Sequence, residues 1–289
     1  MKYCTTGDFL IHAPIPEDHE GVKKVIDFIA AADVKITNLE TTVTDGSCWA
    51  SAYYCDTALT TRPETLSDFK RFGFQACACC NNHSLDFGPA GLLQTIDFLD
   101  QAGIGHAGTG RNMDEASAPA IIDTDEGKVA YIALGAMCLE NESGRAGFSH
   151  DGIPARPGVN CLRHIDESLV TQEQMDKIKA LARETMVNAA EDLELTGPEI
   201  VEKRLEKSTA SMETGQIFYL SVVPQWTMEN GKITSMKMLP VELGLREPMG
   251  RKGIPSPCSP QMVFDELQRV CNPYGTELKI SGDYIELVL

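Results

Sequence analysis

The chain has 289 residues, 43% of them hydrophobic, with 42 Asp and Glu against 25 Lys and Arg and a formal charge of -17. That length can bury a substantial core, and the composition is that of a globular protein. The acidic balance, with no dense Lys/Arg cluster, argues against nucleic acid or an anionic membrane as partner, and no run of about 20 apolar residues offers a membrane span.

Met1 to Asp8 run straight into a first strand without the pattern of a signal peptide. The ten cysteines are scattered through apparent strands and loops. Reduced thiols and a cytoplasmic location, peripheral to the envelope at most, are therefore expected.

Residues 2–7 read as a strand ending at Gly7-Asp8, where a carboxylate suits either a metal ligand or a turn. After a loop marked by Pro14 and Pro16, Val22, Val25, Ile26 and Ile29 form a helical stripe. A second strand, Val34 to Thr37, runs into Asn38-Leu39-Glu40. Residues 41–62, rich in Thr, Ser, Tyr and Cys, leave the sheet as a loop or hairpin over its end. Pro63 opens a helix that stops at Gly73. Phe74 to Cys79 is small and apolar, as a buried strand is, and Gly91 to Leu99 forms an amphipathic helix that Gly103 closes.

Between them, Cys80-Asn81-Asn82-His83-Ser84-Leu85-Asp86-Phe87-Gly88 occupies a strand-to-helix turn. Such turns lie at the carboxyl ends of strands, where open α/β sheets bind ligands. The alternative is an Asn-rich turn whose Asp86 caps the helix. The CxxC of Cys77 to Cys80 would point its ends to opposite faces of a strand. Small buried hydrophobes are expected there rather than a zinc knuckle or a dithiol.

Gly108-Thr109-Gly110 lacks the spacing of a phosphate loop. Pro119 to Asp123 and Lys128 to Leu134 form a hairpin about Glu126-Gly127. Residues 139–170 are irregular and carry Arg145, His150, Arg156, Arg163 and His164. A charged helical stretch over 172–207 is interrupted near Gly197-Pro198. Strands follow at 216–223 and 232–239, then a Pro/Gly-rich linker at 247–260, a helix near 260–271 and a hairpin turning at Ser281-Gly282-Asp283. Strand–helix alternation up to about residue 105 favours an α/β layered core.

Three strands thus end in Gly7-Asp8, Asn38-Leu39-Glu40 and Asn81-Asn82-His83. Two carboxylates and an amide oxygen suit a divalent ion, and a neighbouring histidine can protonate a leaving oxygen. These motifs, with Gly91-Leu92 and Gly103-Ile104 through Gly110, resemble the CapA family. That family is named for bacterial poly-γ-glutamate capsule synthesis and groups with the calcineurin-like metallophosphoesterases. The resemblance covers residues 1–135, and Arg156 to Asn160 with Leu162-Arg163 match a loop of some members.

The resemblance implies a layered α/β calcineurin-like sandwich over residues 1–244, incomplete in its second half, with a small α+β appendage at 245–289. It implies Asp8 and Glu40 as metal-binding carboxylates, Asn82 as a ligand of a second ion and His83 as the catalytic acid. Arg156, Arg163 and Asn81 are candidate substrate-binding residues, although loop arginines are equally often solvated. One departure matters. Family members supply further histidine ligands late in the chain, whereas no histidine follows His164 here. His12, His150 and His164 are the substitutes on offer; His12 is expected at the surface and His106 in the core. A divalent metal (Mn, Mg or Fe/Zn) is expected to bind weakly or as a single ion.

Two functions follow. One is a metal-dependent hydrolase of phosphoester or related bonds, acting on a small molecule or polymer in capsule or cell-envelope synthesis. The other is a catalytically degenerate binding or scaffold component, partnered by proteins of a synthesis complex. The missing histidines favour the scaffold, and the intact strand-end motifs favour the enzyme.

Overall fold

Strand and helix alternate along the first third of the chain, as its periodicity requires, and the computed structural model follows that order. It describes residues 1–51, 58–136, 144–162, 171–185, 219–245, 247 and 251–289. β1 (Lys2–Phe9) leads to α1 (Glu20–Ala30), whose first turn is capped by the His19 ring accepting from Val22 N–H at 3.3 Å. β2 (Val34–Leu39) is followed by a two-stranded parallel pair, β3 (Thr42–Val43) and β4 (Thr60–Thr61). Proline opens a single 3-10 turn at Pro63–Thr65 that continues into α2 (Leu66–Arg71). β5 (Ala76–Ala78), α3 (Gly88–Ala102) and β6 (Gly105–Ala107) complete the alternation. Gly103 ends α3 in the left-handed region at φ 67°, a conformation that costs glycine nothing.

Short elements follow: β7 (Thr109–Gly110), α4 (Met113–Ser117), the hairpin β8 (Ala120–Thr124) and β9 (Gly127–Tyr131), and β10 (Gly158–Val159). α5 (Gln172–Thr185) belongs to a separate unit, residues 164–218. The remainder of the helical stretch expected over 172–207 lies outside the described residues. β11 (Leu220–Glu229) and β12 (Lys232–Glu242) turn at Asn230-Gly231. The chain closes with β13 (Ser256–Pro257), α6 (Gln261–Cys271), β14 (Leu278–Ser281) and β15 (Tyr284–Leu287).

One mixed sheet gathers these strands in the order β14-β15-β12-β11-β1-β2-β5-β6, with β13 also on β12. β1, β2, β5 and β6 run parallel; β11 joins β1 antiparallel and begins an antiparallel half. Residues 245–289, expected as an appendage, supply β13, β14 and β15 to this same sheet. Together with residues 1–163 and 219–244 they form one unit. The physical reason is the long β12, whose outer edge pairs Lys237 with Glu286 and Met238 with Ile285. An open edge of that length is covered by the next available strand.

Parallel strands must be covered on both faces. On one face α1 and α2 bury Val22, Val25, Ile29 and Phe69 against Cys4, Phe9 and Cys77. On the other, the β8–β9 hairpin buries Ile122 against Val34, Ala76 and Ala107. The small residues of β5 and β6 let that hairpin approach. α6 packs on Met238, Leu278 and Ile285. No helix among the described residues is long and apolar enough to cross a membrane.

Cys77 and Cys79 are free, buried thiols with sulfurs 3.6 Å apart, as small core hydrophobes should be. The expectation that all thiols are reduced is corrected at Cys161, which is disulfide-bonded.

Phe69 is fully buried, with its ring 5.5 Å from Phe9 and 5.2 Å from Phe74. Phe69→Ala is expected to lower unfolding free energy by about 3–5 kcal/mol in urea denaturation. Trp49→Ala, at an 88% exposed position, should change it by less than about 0.5 kcal/mol.

Candidate active site at the ends of the parallel strands

Parallel pairing sets Asp8 opposite Asn38, and Asn38 opposite Ala78. Asp8 therefore lies within β1 rather than beyond it, and Glu40 is the first residue after β2. The register of β1 on β2 slips between Thr5 and Asp8. Strict alternation fails there, so Gly7 and Asp8 are both exposed before Phe9 turns inward. Thr37 Oγ1 donates to Gly7 O at 3.0 Å and secures the slip.

A chain of amides ties the three strand ends together. Asn81 Nδ2 donates to Leu39 O at 2.9 Å and to Asn38 Oδ1 at 3.1 Å. Asn38 Nδ2 donates in turn to Asp8 Oδ1 at 2.7 Å. The orientation is self-consistent, since Leu39 O can only accept and that fixes both amides. Asn81 Oδ1 accepts from His83 N–H at 3.0 Å. Ser84 Oγ donates to Cys79 O at 2.6 Å and accepts from Asn81 N–H at 2.9 Å. Asn81, expected to contact substrate, thus spends both ends of its amide inside the protein as a clamp.

Glu40 meets the Asp8 carboxyl in a hydrogen bond. Burial, then the bond to Asp8 and its charge, push the Glu40 carboxyl up to about 7; His83 acts in the opposite sense. The neighbouring carboxyl disfavours a charge on Glu40, so Glu40 keeps its proton to higher pH than an ordinary carboxyl does.

His83 is held by a residue that the sequence reading assigned otherwise. Asp86 is fully buried, and its Oδ2 lies 2.8 Å from His83 Nδ1. The same oxygen accepts from Leu59 N–H at 2.6 Å, while Asp86 O accepts from Ser51 N–H at 2.6 Å. Asp86 does not cap α3. That position falls to Phe87, which makes no side-chain cap bond. Against an ionised Asp86 the ring donates from Nδ1, so Nε2 is the nitrogen through which His83 can exchange protons. The i, i+3 spacing of His83 and Asp86 across a turn was the signal for this contact.

The other candidates disperse. Asn82 lines a cleft of about 200 Å³ with Cys80, Asn81, Leu134, Gly135 and Val159. Arg156 Nε donates to Arg145 O at 2.9 Å, and Arg163 lies outside the described residues. His12 is exposed, its Nδ1 3.0 Å from Thr60 O, and His150 is also exposed. His106 is only partly satisfied in its half-buried place: Nε2 is 3.2 Å from Asp100 Oδ1, and Nδ1 has no partner.

Among the described residues no group of three or more His, Cys, Asp and Glu side chains is placed to hold a metal ion. What the site offers is oxygen: the paired carboxylates of Asp8 and Glu40, with amides beside them. Crowded carboxylates of this kind fit a hard divalent cation held by few protein ligands, which would relieve their repulsion.

The sequence profile of a family described as bacterial capsule synthesis protein PGA_cap matches residues 2–201. Two uncharacterized proteins of Sinorhizobium fredii are each 32% identical over 186 residues, covering 63% of this chain and 40% of theirs. A protein of Mycobacterium tuberculosis named as a probable polyglutamine synthesis accessory protein is 30% identical over 141 residues, 46% of this chain and 33% of its own. The matches thus span two fifths or less of these relatives' lengths.

Two outcomes follow from the geometry. A carboxyl whose folded pKa is raised stabilises the fold below its unfolded value and loses that contribution as pH rises through the folded value. In chelator, thermal stability should therefore decline between about pH 4.5 and 7, and Glu40→Gln should remove that part of the decline. The ¹⁵N spectrum of the His83 ring should report an Nδ1–H tautomer when neutral, and Asp86→Asn should abolish that preference.

Proposed function

We propose, on the premise that this chain belongs to the bacterial capsule synthesis protein PGA_cap family, that the strand-end cluster is a hydrolytic site serving capsule-polymer synthesis. The fold would be a reduced form of the calcineurin-like sandwich. The bond cleaved would be a phosphoester or a related linkage in a polymer or its precursor. The observation that carries this reading is the Asp8–Glu40 carboxylate pair set beside a histidine whose other nitrogen is occupied by buried Asp86.

The roles divide by chemistry. Asp8 and Glu40 would hold a divalent cation such as Mn²⁺ or Mg²⁺, which when bound supplies Lewis acidity at the scissile group. Asn38 orients Asp8 by its 2.7 Å bond. Asp86 fixes the His83 ring, and His83 Nε2 delivers a proton to the leaving oxygen. Asn82 and the cleft it lines would receive the portion of substrate next to the scissile bond, and Arg156 and Arg163 an acidic group of it.

A second reading keeps the family role without turnover. The M. tuberculosis relative's name describes an accessory protein. By that analogy, this chain would bind polymer or synthesis-complex proteins through the same cluster. The scarcity of nitrogen ligands favours that reading.

Titration of the purified chain with Mn²⁺ separates the two. Affinity should rise as pH increases from 6 to 8, because a proton on Glu40 competes with the cation; Glu40→Gln should flatten this dependence. Hydrolysis of generic phosphomonoesters and phosphodiesters should accompany binding and fall by about 10²–10⁴-fold in His83→Ala, with Mn²⁺ affinity retained. Binding without turnover would favour the accessory role, and absence of pH-dependent Mn²⁺ binding would end the hydrolytic reading.

A further inference from the structure

A cleft of about 450 Å³ lies away from the strand-end cluster and has no part in the chemistry above. Lys2, at its margin, stands six residues before Asp8 on β1, roughly 20 Å at about 3.3 Å per residue. The cleft therefore sits toward the opposite end of the sheet.

Cross-strand partners share a face, and the register shows how this wall is built. Lys2 faces Thr227, and Thr227 faces Ser235. One row along, Gln225 faces Lys237, and Lys237 faces Glu286. All six residues line the cleft. The first of these rows is polar on all three strands; the second begins with Cys4, in the apolar core, and is polar from Gln225 onward.

The charges of this wall are not balanced internally. Glu286 is engaged by Lys279 at 3.3 Å. The Lys237 ammonium is held over the rings of Tyr284 and Phe28, 4.7 and 5.2 Å from their centroids. These contacts fix its position and supply no anionic partner. Among the described residues, neither Lys2 nor Lys237 has a carboxylate within ion-pair distance of its ammonium. Gln225 is 2% exposed and gives its Nε2 to Phe28 O at 3.1 Å; its Oε1, an acceptor, supplies nothing to an anion. A fixed polar wall with two lysines lacking acid partners is built to receive an acid group.

We infer that this cleft binds a small anion, its phosphate or carboxylate group held between Lys2 and Lys237 and bonded by the hydroxyls of Thr227 and Ser235. The volume suits a small molecule rather than a length of polymer. The inference is independent of the hydrolytic reading, since none of these residues belongs to the strand-end cluster.

Trp226 lines the cleft, and the chain has only two tryptophans. Trp49→Phe therefore leaves Trp226 as the sole indole reporter. Full-length protein of that background is titrated with inorganic phosphate and, separately, with succinate. A saturable fluorescence change is expected with at least one of them, and which one responds identifies the acid group. Lys237→Met should weaken that response at least tenfold, and Lys2→Gln should weaken it several-fold, with unchanged circular dichroism. Lys2→Gln alone decides the matter if Lys237→Met does not fold. No saturable response to either anion, or a response that the folded lysine variants leave unchanged, would overturn the inference.

Discussion

The parallel register of β1, β2 and β5 is the constraint on which the site depends. Asp8, Asn38 and Ala78 stand in one row because the three strands pair as they do, and the amide chain from Asn81 to Asn38 to Asp8 can form only along that row. Side chains in a strand alternate, so a one-residue slip of β2 would turn Asn38 to the other face and leave Asp8 without its donor. The covering layers exist to hold this register. Parallel strands need both faces buried, and α1, α2 and the β8–β9 hairpin supply those faces. The core thus sets the site's geometry, although no core side chain takes part in its chemistry.

Asp86 is the second fixed point, and its cost shows what it is for. A carboxylate with no exposed surface is expensive unless its oxygens are bonded. Oδ2 has two donors, His83 Nδ1 and Leu59 N–H, whereas Oδ1 has none among the described residues. An arrangement chosen for stability alone would have satisfied both oxygens or used an apolar residue. What the burial secures instead is orientation. It fixes one tautomer of His83, and it anchors the excursion after β3 at Ser51 and Leu59. The loop expected to overlie the sheet's end is therefore tied to the same residue that positions the ring.

How much of this was legible in the sequence follows from the range of each interaction. Asp8, Glu40 and His83 could be read because each sits next to an apolar run that could only be a strand, and strand ends converge in an α/β sheet. The structure brings Asp8, Glu40 and His83 together. Asn81 was legible as a polar turn residue but not as a clamp, because its partners Asn38 and Leu39 lie more than forty positions away. Asp86 was misread because an Asp just before a helix resembles a cap; only the ring 2.8 Å away distinguishes the two. The C-terminal strands read as an appendage because their place is set by the outer edge of β12, which no pattern within residues 245–289 announces. Local pattern carries no information about such pairings.

The shortage of histidines bears on which kind of site this is. In a site rich in imidazole ligands, nitrogen donors compete with protons near neutrality, and a histidine bound to metal cannot also move a proton. Among the described residues the cluster has one histidine, with one nitrogen committed to Asp86, so under the hydrolytic proposal the tasks would fall to different groups. Asp8 and Glu40 present charge, and His83 is free to transfer a proton. The Glu40 carboxyl, pushed up to about 7, links the two, because a proton and a hard cation are alternative ways of relieving the same repulsion. Protonation removes the charge conflict, and under the hydrolytic proposal a cation would do so once the proton is lost. Few fixed ligands would hold an ion weakly, and the hydrogen bonds across three strands would fix the groups around it. Under the hydrolytic proposal, the buried Asp86 carboxyl turned toward His83 would serve the one described side chain of the cluster able to carry a proton.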